Sequence, residues 1–314
     1  MNNSTNGTGL ISEGDKDETV CSWIISRVQG NTETIFTWHF LLAVLNIVLA
    51  ITASCGNILV LLALSKEYTL SAPSRVLFRS LATSDLCVGI ISQPLYAISI
   101  LLIGNGHLKL CRLMRYLTFV SSTTLCGVSL LTLTAISLDR LLVLTLKSSY
   151  YRIVTRSLVI RVVVLFWTCS LFTGIAYLLS RRIFFIVTCL VILLSIVISA
   201  YSYSNIFFLL RRRQRVTIRD SHTRLNGFQL RRALRFKSTV YSALWVHLTL
   251  VICYLPFSVL GAVAFRIGTP LPIFIAGTCT ATLIYLNSTI NPFLYCWKIN
   301  EVRQAVKQIL RKCL

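Results

Sequence analysis

Residues 183–210 read IFFIVTCLVILLSIVISAYSYSNIFFLL, with no charged side chain. About 20 helical residues of this character cross a hydrocarbon core roughly 30 Å thick. Directly upstream lies another apolar run, 155–179, and only Ser180-Arg181-Arg182 separates the two. One continuous helix would place the arginine pair at mid-bilayer, where charge is costly. The pair therefore marks a very tight turn between two crossings. The same reading along the rest of the chain predicts seven spans: Thr37–Leu64, Pro73–Leu101, Lys109–Leu144, Thr155–Leu179, Ile183–Leu210, Ala233–Phe265 and Leu271–Trp297. The expected fold is an all-α membrane protein, a seven-helix bundle over 37–297, with segment 1–36 before it and segment 298–314 after it.

Composition agrees. Of 314 residues, 55% are hydrophobic and 13% charged, with a mean hydropathy of +0.74. A soluble domain could not hide so much apolar surface. The net charge of +21 would suit nucleic acid, but the basic residues fall between the apolar runs, not along one face of a soluble module. Placing the amino terminus outside puts 23 of the 31 Lys and Arg on the inner side, as the positive-inside rule requires. Most of the eleven cysteines sit in apolar runs, where a thiol usually packs as a small hydrophobe. They form no paired CxxC spacing.

Segment 1–36 is acidic and polar and has no basic start followed by an apolar core, so no cleavable signal peptide is expected. Asn2, Asn3 and Asn6 each begin a glycosylation sequon, consistent with an extracellular end. In 298–314, Ile299, Val302, Val306, Ile309 and Leu310 fall near one helical face, which predicts an amphipathic helix on the inner membrane surface. Cys313 in that basic tail is a lipidation candidate. Pro94, Pro256 and Pro292 lie inside spans and predict kinks, whereas Pro73, Pro270 and Pro272 sit at helix starts.

Asp85 is the one acid in the middle of a span. A buried carboxylate there needs either a cation with oxygen ligands or protonation within a hydrogen-bond network. Arg140, near the inner end of the third span, has Asp139 as a neighbouring partner; alternatively it snorkels to the interface. No HExxH, GxSxG or phosphate loop occurs, and His247 reads as a packing residue, so no enzyme is expected. A transporter, the other competing class with an intramembrane enzyme, would show repeats or several intramembrane charges.

The chain resembles the rhodopsin-like (class A) G-protein-coupled receptor family. The resemblance rests on Gly56-Asn57, Leu81-Ala82 with Asp85, Asp139-Arg140-Leu141, Trp167, Tyr203 followed by Ile206, Cys253-Tyr254-Leu255-Pro256, Asn287, and Asn291-Pro292-Phe293-Leu294-Tyr295. Each occurs in order on the matching span. It implies a plasma-membrane receptor that passes an extracellular signal to a heterotrimeric G protein. The ligand is a small molecule, lipid or peptide; membrane lipids are further partners, and no nucleic acid is. The implied coupling residues are Asp139, Arg140, Tyr203, Asn291, Pro292 and Tyr295, with an activation kink at Tyr254 and Pro256. The implied sodium pocket is Asp85, Ser129, Asn287 and Asn291, with no other cofactor. Ser122, Cys126 and Tyr254 are the candidate ligand contacts.

The departures are informative. Tyr254 stands where family members commonly carry tryptophan. The second outer loop has no cysteine to pair with Cys111; Cys21 is the available partner, or Cys111 is a free buried thiol. Ser195 replaces the usual proline of helix five, and with the short loop this resembles the melanocortin-type branch and, more loosely, the adenosine and lipid receptors. Ser122 occupies the place of the aspartate by which amine receptors hold an ammonium. Arg112, Arg115, Arg181, Arg182 and Arg266 at the outer rim suit a carboxylate or phosphate, or are solvated interface arginines. Leu271–Trp297 contains no lysine for a retinal Schiff base. Phe236 falls where relatives place an acid that restrains the helix-three arginine, so basal activity is expected.

Overall fold

The computed structural model describes residues 22, 26, 32–66, 71–104, 108–220, 227–267, 270–298, 303, 304 and 306. Among them, seven helices are long and apolar enough to cross a membrane: Thr37–Ser65, Ala72–Leu102, Lys109–Ile153, Arg156–Leu179, Arg181–Arg212, His247–Ile267 and Leu271–Leu294. They are spans one to seven below. The amino-terminal face of the bundle is the one on which span one begins. Span three packs on spans two, four and five, and span one on two and seven. Polarity is inverted relative to a water-soluble protein: Asn46, Asn57, Ser84, Asp85, Ser129, Asn287 and Asn291 are buried, while Phe172, Val197 and Phe208 face outward. In lipid, apolar surface carries no penalty and polar groups must find partners inside.

The turn between spans four and five is shorter than the three residues expected. Span five opens at Arg181, and only Ser180 is extended, at φ −158° and ψ 113°. Its amide donates to the Ala176 carbonyl (2.9 Å), its carbonyl accepts from the Phe184 amide (3.0 Å), and its hydroxyl accepts from the Ile183 amide (3.5 Å). One residue suffices because each of its polar groups is paired with a helix end. The arginines sit on the first turn of the helix at the rim, where their long stems reach polar surroundings.

Two of the prolines inside spans have a local response. Pro94 follows a π-helical turn, Val88–Ser92. The widened turn relieves the clash of the ring with the carbonyl four residues back. Pro292 likewise leaves the Ser288 carbonyl without its helical donor, and Asn57 Nδ2 of span one donates to that oxygen at 3.2 Å. Gly56 makes this approach feasible, since a Cβ there would lie 2.9 Å from Cβ and Cγ of Pro292. Arg79 of span two ties back to the end of span one, its Nη2 donating to the Leu64 carbonyl at 3.1 Å. Past span seven, residues 303, 304 and 306 are helical. Val306 is buried in the cluster of Val60, Leu64 and Leu77, while Arg303 is exposed; Ile299, Val302, Ile309 and Leu310 of the expected apolar face lie outside the described residues.

Cys111 is disulfide-bonded, which removes the free-thiol alternative. Cys21, its expected partner, lies outside the described residues, as do Asn2, Asn3, Asn6 and Cys313.

Gly89 brings spans one and two together: a Cβ there would lie 2.6 Å from Ser54 Oγ and 3.0 Å from the Ala50 carbonyl. Gly89→Ala is therefore expected to destabilise the bundle by about 1–3 kcal/mol through overpacking. Gly277→Ala, whose Cβ would rest 3.9 Å from Leu260 Cδ2, should be tolerated. Thermal melts of the two purified variants against the parent check the contrast.

Candidate functional site

Three sites lie along span three, ordered from the amino-terminal face to the opposite one. The first is a cavity of about 350 Å³ among spans two to seven. Its walls are apolar and aromatic, and its charged lining residues are Arg115 and Arg181, with no acid among the described residues. Ser122, Cys126 and Tyr254, the three ligand contacts expected from the sequence, all line it. The Tyr254 hydroxyl donates to the Cys126 carbonyl at 3.3 Å, linking the kinked span six to span three. Ser122 forms a hydroxyl pair with Tyr285, whose ring lies 5.2 Å from that of Tyr96. Tyr96 in turn donates to the Thr278 carbonyl at 2.9 Å. Neither Tyr96 nor Tyr285 was singled out from the sequence. A tyrosine in an apolar span reads as packing, and only the approach of spans two, three and seven brings these hydroxyls together.

The second site is Asp85, fully buried. Its Oδ1 accepts from Ser129 and Ser288, each at 2.8 Å, and its Oδ2 from Asn291 Nδ2 at 2.7 Å. Spans two, three and seven are thereby tied through one carboxylate. Of the expected set, Ser129 and Asn291 are present as donors. Asn287 is buried, but its Nδ2 has no hydrogen-bond partner among the described residues; Ser288 supplies the additional contact. The signal for Ser288 was its spacing three residues before Asn291, which puts both on one helical face. The donor set fits a small hard cation: one carboxylate and two hydroxyl oxygens converge, and hydroxyls can turn a lone pair toward an ion.

The third site surrounds Arg140. Its Nη2 lies 3.2 Å from Asp139 Oδ2, and the guanidinium lies over the Phe78 ring at 5.6 Å. Asp139 also accepts from Ser74 Oγ at 2.8 Å and from the Tyr150 hydroxyl. Tyr150 belongs to the short helix Tyr150–Ile153 that ends span three after the 3-10 turn Lys147–Ser149, and is 1% exposed, so that end of span three is pinned to the pair. The intrahelical pair was legible in Asp139-Arg140; Ser74 and Tyr150 were not, because Ser74 comes from span two and Tyr150 from beyond the break at Lys147–Ser149. Tyr203 is buried with Ile206 and Leu210, its ring 6.0 Å from that of His247. The side chains of Tyr295 and Phe236 lie outside the described residues. Pro256 is within the helix of span six.

The family profile described as 7 transmembrane receptor (rhodopsin family) matches residues 56–183. The chain is similar to adenosine receptor A3 of Ovis aries, 26% identical over 85% of this chain and 89% of that protein. It is also similar to melanocortin receptor 5 of Rattus norvegicus, 26% identical over 83% and 82%, and to melanocortin receptor 3 of Rattus norvegicus, 24% identical over 84% of each. The profile match covers the first four spans, and the similarity to these receptors extends over most of the chain. Its seven apolar helices describe a multi-pass membrane protein, and the proteins it resembles over most of its length are receptors.

In the receptor, loss of one hydrogen bond to the buried Asp139 costs about 1.5–3 kcal/mol, because the acceptor is charged. Tyr150→Phe is expected to lower the melting temperature of the detergent-solubilised protein. Tyr151→Phe, at a neighbouring exposed ring, should leave it unchanged.

Proposed function

We propose that this receptor binds an extracellular ligand in the cavity on its amino-terminal face and activates a heterotrimeric G protein at the opposite face. The excess of Lys and Arg around that opposite face supports its assignment to the cytoplasm of a plasma-membrane protein. The observation that carries the reading is the latched Arg140, restrained by Asp139 while Ser74 and Tyr150 hold the carboxylate in place. In this reading, activation frees the guanidinium for the G protein, and Tyr203 and Tyr295 turn inward beside it as spans five to seven rearrange about Pro256 and Pro292.

Asp85 stands between the two ends. When bound, a sodium ion would supply the counter-charge to its carboxylate, held by Asp85, Ser129 and Asn291 with Asn287 and Ser288 beside them. Asp85, with its three donors on spans three and seven, resists relative movement of those spans; Tyr254 reports cavity occupancy to span three through the Cys126 carbonyl.

The test is nucleotide exchange on purified G proteins added to ligand-free membranes at matched receptor levels. Basal exchange is expected. Tyr150→Phe should raise it, since about 1.5–3 kcal/mol off the latched state shifts the balance by roughly 10- to 150-fold. Phe236→Glu should lower it, and Arg140→Ala should reduce it to the level of membranes without receptor. Exchange at that blank level for the folded parent and for Tyr150→Phe would overturn the coupling. A separate arm varies sodium: exchange by the parent should fall as sodium replaces a larger inert cation at constant ionic strength, and Asp85→Asn should abolish that dependence. An unchanged sodium response in Asp85→Asn would remove the ion site.

A further inference from the structure

The hydroxyls that line the cavity divide into two sets. On span three the lining runs from Arg115 to Leu131, a depth of about 24 Å at the helical rise, so the space is long. On spans two, six and seven every lining hydroxyl is bonded. Tyr96 donates to the Thr278 carbonyl, Ser99 to that of Tyr96, Tyr254 to that of Cys126 and Thr278 to that of Ile275, while Tyr285 pairs with Ser122. On the other wall stand Thr118 of span three, Ser170 of span four and Thr188 of span five, and their hydroxyls have no hydrogen-bond partner among the described residues. Thr118 is 7% exposed and Ser170 4%. A helical serine or threonine commonly donates to a carbonyl three or four residues back, as Ser121, Thr134 and Thr173 do on the same two spans. Thr118 and Ser170 do not close in this way. Ser170 Oγ sits at the level of Gly127, where an added Cβ would lie 2.9 Å from it. Thr118 and Gly127 are nine residues apart on span three, about 13–14 Å along the axis. An unsatisfied hydroxyl therefore stands toward each end of the cavity. Around them the walls are apolar and aromatic, with Phe119, Phe184, Ile192 and Phe257.

We propose that the cavity takes an uncharged, elongated apolar ligand with an oxygen function toward each end, the shape and chemistry of a steroid diol. One oxygen bonds Thr118 and the other Ser170, with Thr188 beside the skeleton. This assignment rests on the receptor reading for its biological meaning but concerns binding alone. Covering a hydroxyl with apolar surface is costly unless it gains a partner. Ligand sites accordingly combine apolar walls with a few polar groups that fix orientation. A hydroxyl both donates and accepts, so alcohol and ketone oxygens suit equally. The arginines do not argue for an anion. Arg115 already donates to the Tyr177 hydroxyl at 3.3 Å, and Arg115 and Arg181 both have further interactions, which an acidic group would have to displace. A fatty chain with a single polar head would leave one of the two hydroxyls unpaired.

The experiment uses the full chain in lipid nanodiscs and tritiated androstenediol, a steroid with a hydroxyl at each end, with empty nanodiscs as the blank. The two mono-ols that lack one oxygen or the other should compete about tenfold less well than the diol, since each leaves a protein hydroxyl unpaired. Thr118→Val and Ser170→Ala should each weaken the diol by about the same factor. Each variant should also make the diol equal to one of the mono-ols, and the two variants should select different mono-ols, which fixes the direction of the ligand. The monosulfate of the diol should compete less well than the diol itself. Melting temperatures establish that the variants fold; should one fail, the other carries the comparison. Diol binding no greater than the blank, or unchanged in the folded variants, would overturn the proposal. So would mono-ols equal to the diol, as when water serves both hydroxyls, or a monosulfate that competes better. Nucleotide exchange is read on the same nanodiscs. Oxygen-dependent binding without exchange leaves the ligand assignment standing and overturns coupling; basal exchange without binding does the reverse.

Discussion

Within hydrocarbon no water is available to a freed carbonyl or a buried carboxylate, so each such group must be satisfied by the protein itself. Much of this bundle can be understood from that constraint. The Ser288 carbonyl, without a helical donor because of Pro292, receives one from Asn57, and the contact depends on Gly56 letting span one approach. Asp85 draws three donors from spans three and seven. Ser180 turns the chain alone because its polar groups all pair with helix ends. The polar residues therefore set which helices touch, while apolar residues, equally content against lipid or protein, contribute shape.

Span three joins the cavity to Asp85 and to the Asp139–Arg140 pair. Ser122, Cys126 and Ser129 recur at helical spacing on one stripe, and Asp139 and Arg140 lie farther along the same rod. Ser122 meets Tyr285 of span seven, the Cys126 carbonyl meets Tyr254 of span six, and Ser129 meets Asp85 of span two. The cavity and the Asp85 centre thus share spans three and seven. These are discrete hydrogen bonds, made or broken, and such contacts suit a two-state element better than a continuously deformable one. The kinks at Pro256 and Pro292 supply places where a helix can bend without losing its entire ladder.

Several local details followed a logic that sequence could not resolve. The arginine pair correctly separated spans four and five, yet the turn proved to be one residue, since helix boundaries depend on which end groups find partners. Asn287 and Ser288 are adjacent, and resemblance favoured Asn287 as the neighbour of Asp85. The packing of span seven against span two decides which of the two meets the carboxylate, and it is Ser288. Tyr150 stood in an unremarkable polar linker, and its burial against Asp139 depends on how that linker folds back under the bundle.

By itself, the sequence determined the number of crossings, the charge asymmetry between the two faces, the isolation of Asp85 among apolar residues and the adjacency of Asp139 and Arg140. Each is a one-dimensional property: run length, charge count, or spacing along a single helix. Tertiary structure alone decided that Arg115 and Arg181 share one end of a long apolar cavity, that Asn57 serves a carbonyl on span seven, and that Ser74 and Tyr150 hold the acid that restrains Arg140. Those contacts join residues separated by from 11 to 231 positions. Their energies come from packing distances and donor directions, which no periodicity along the chain records.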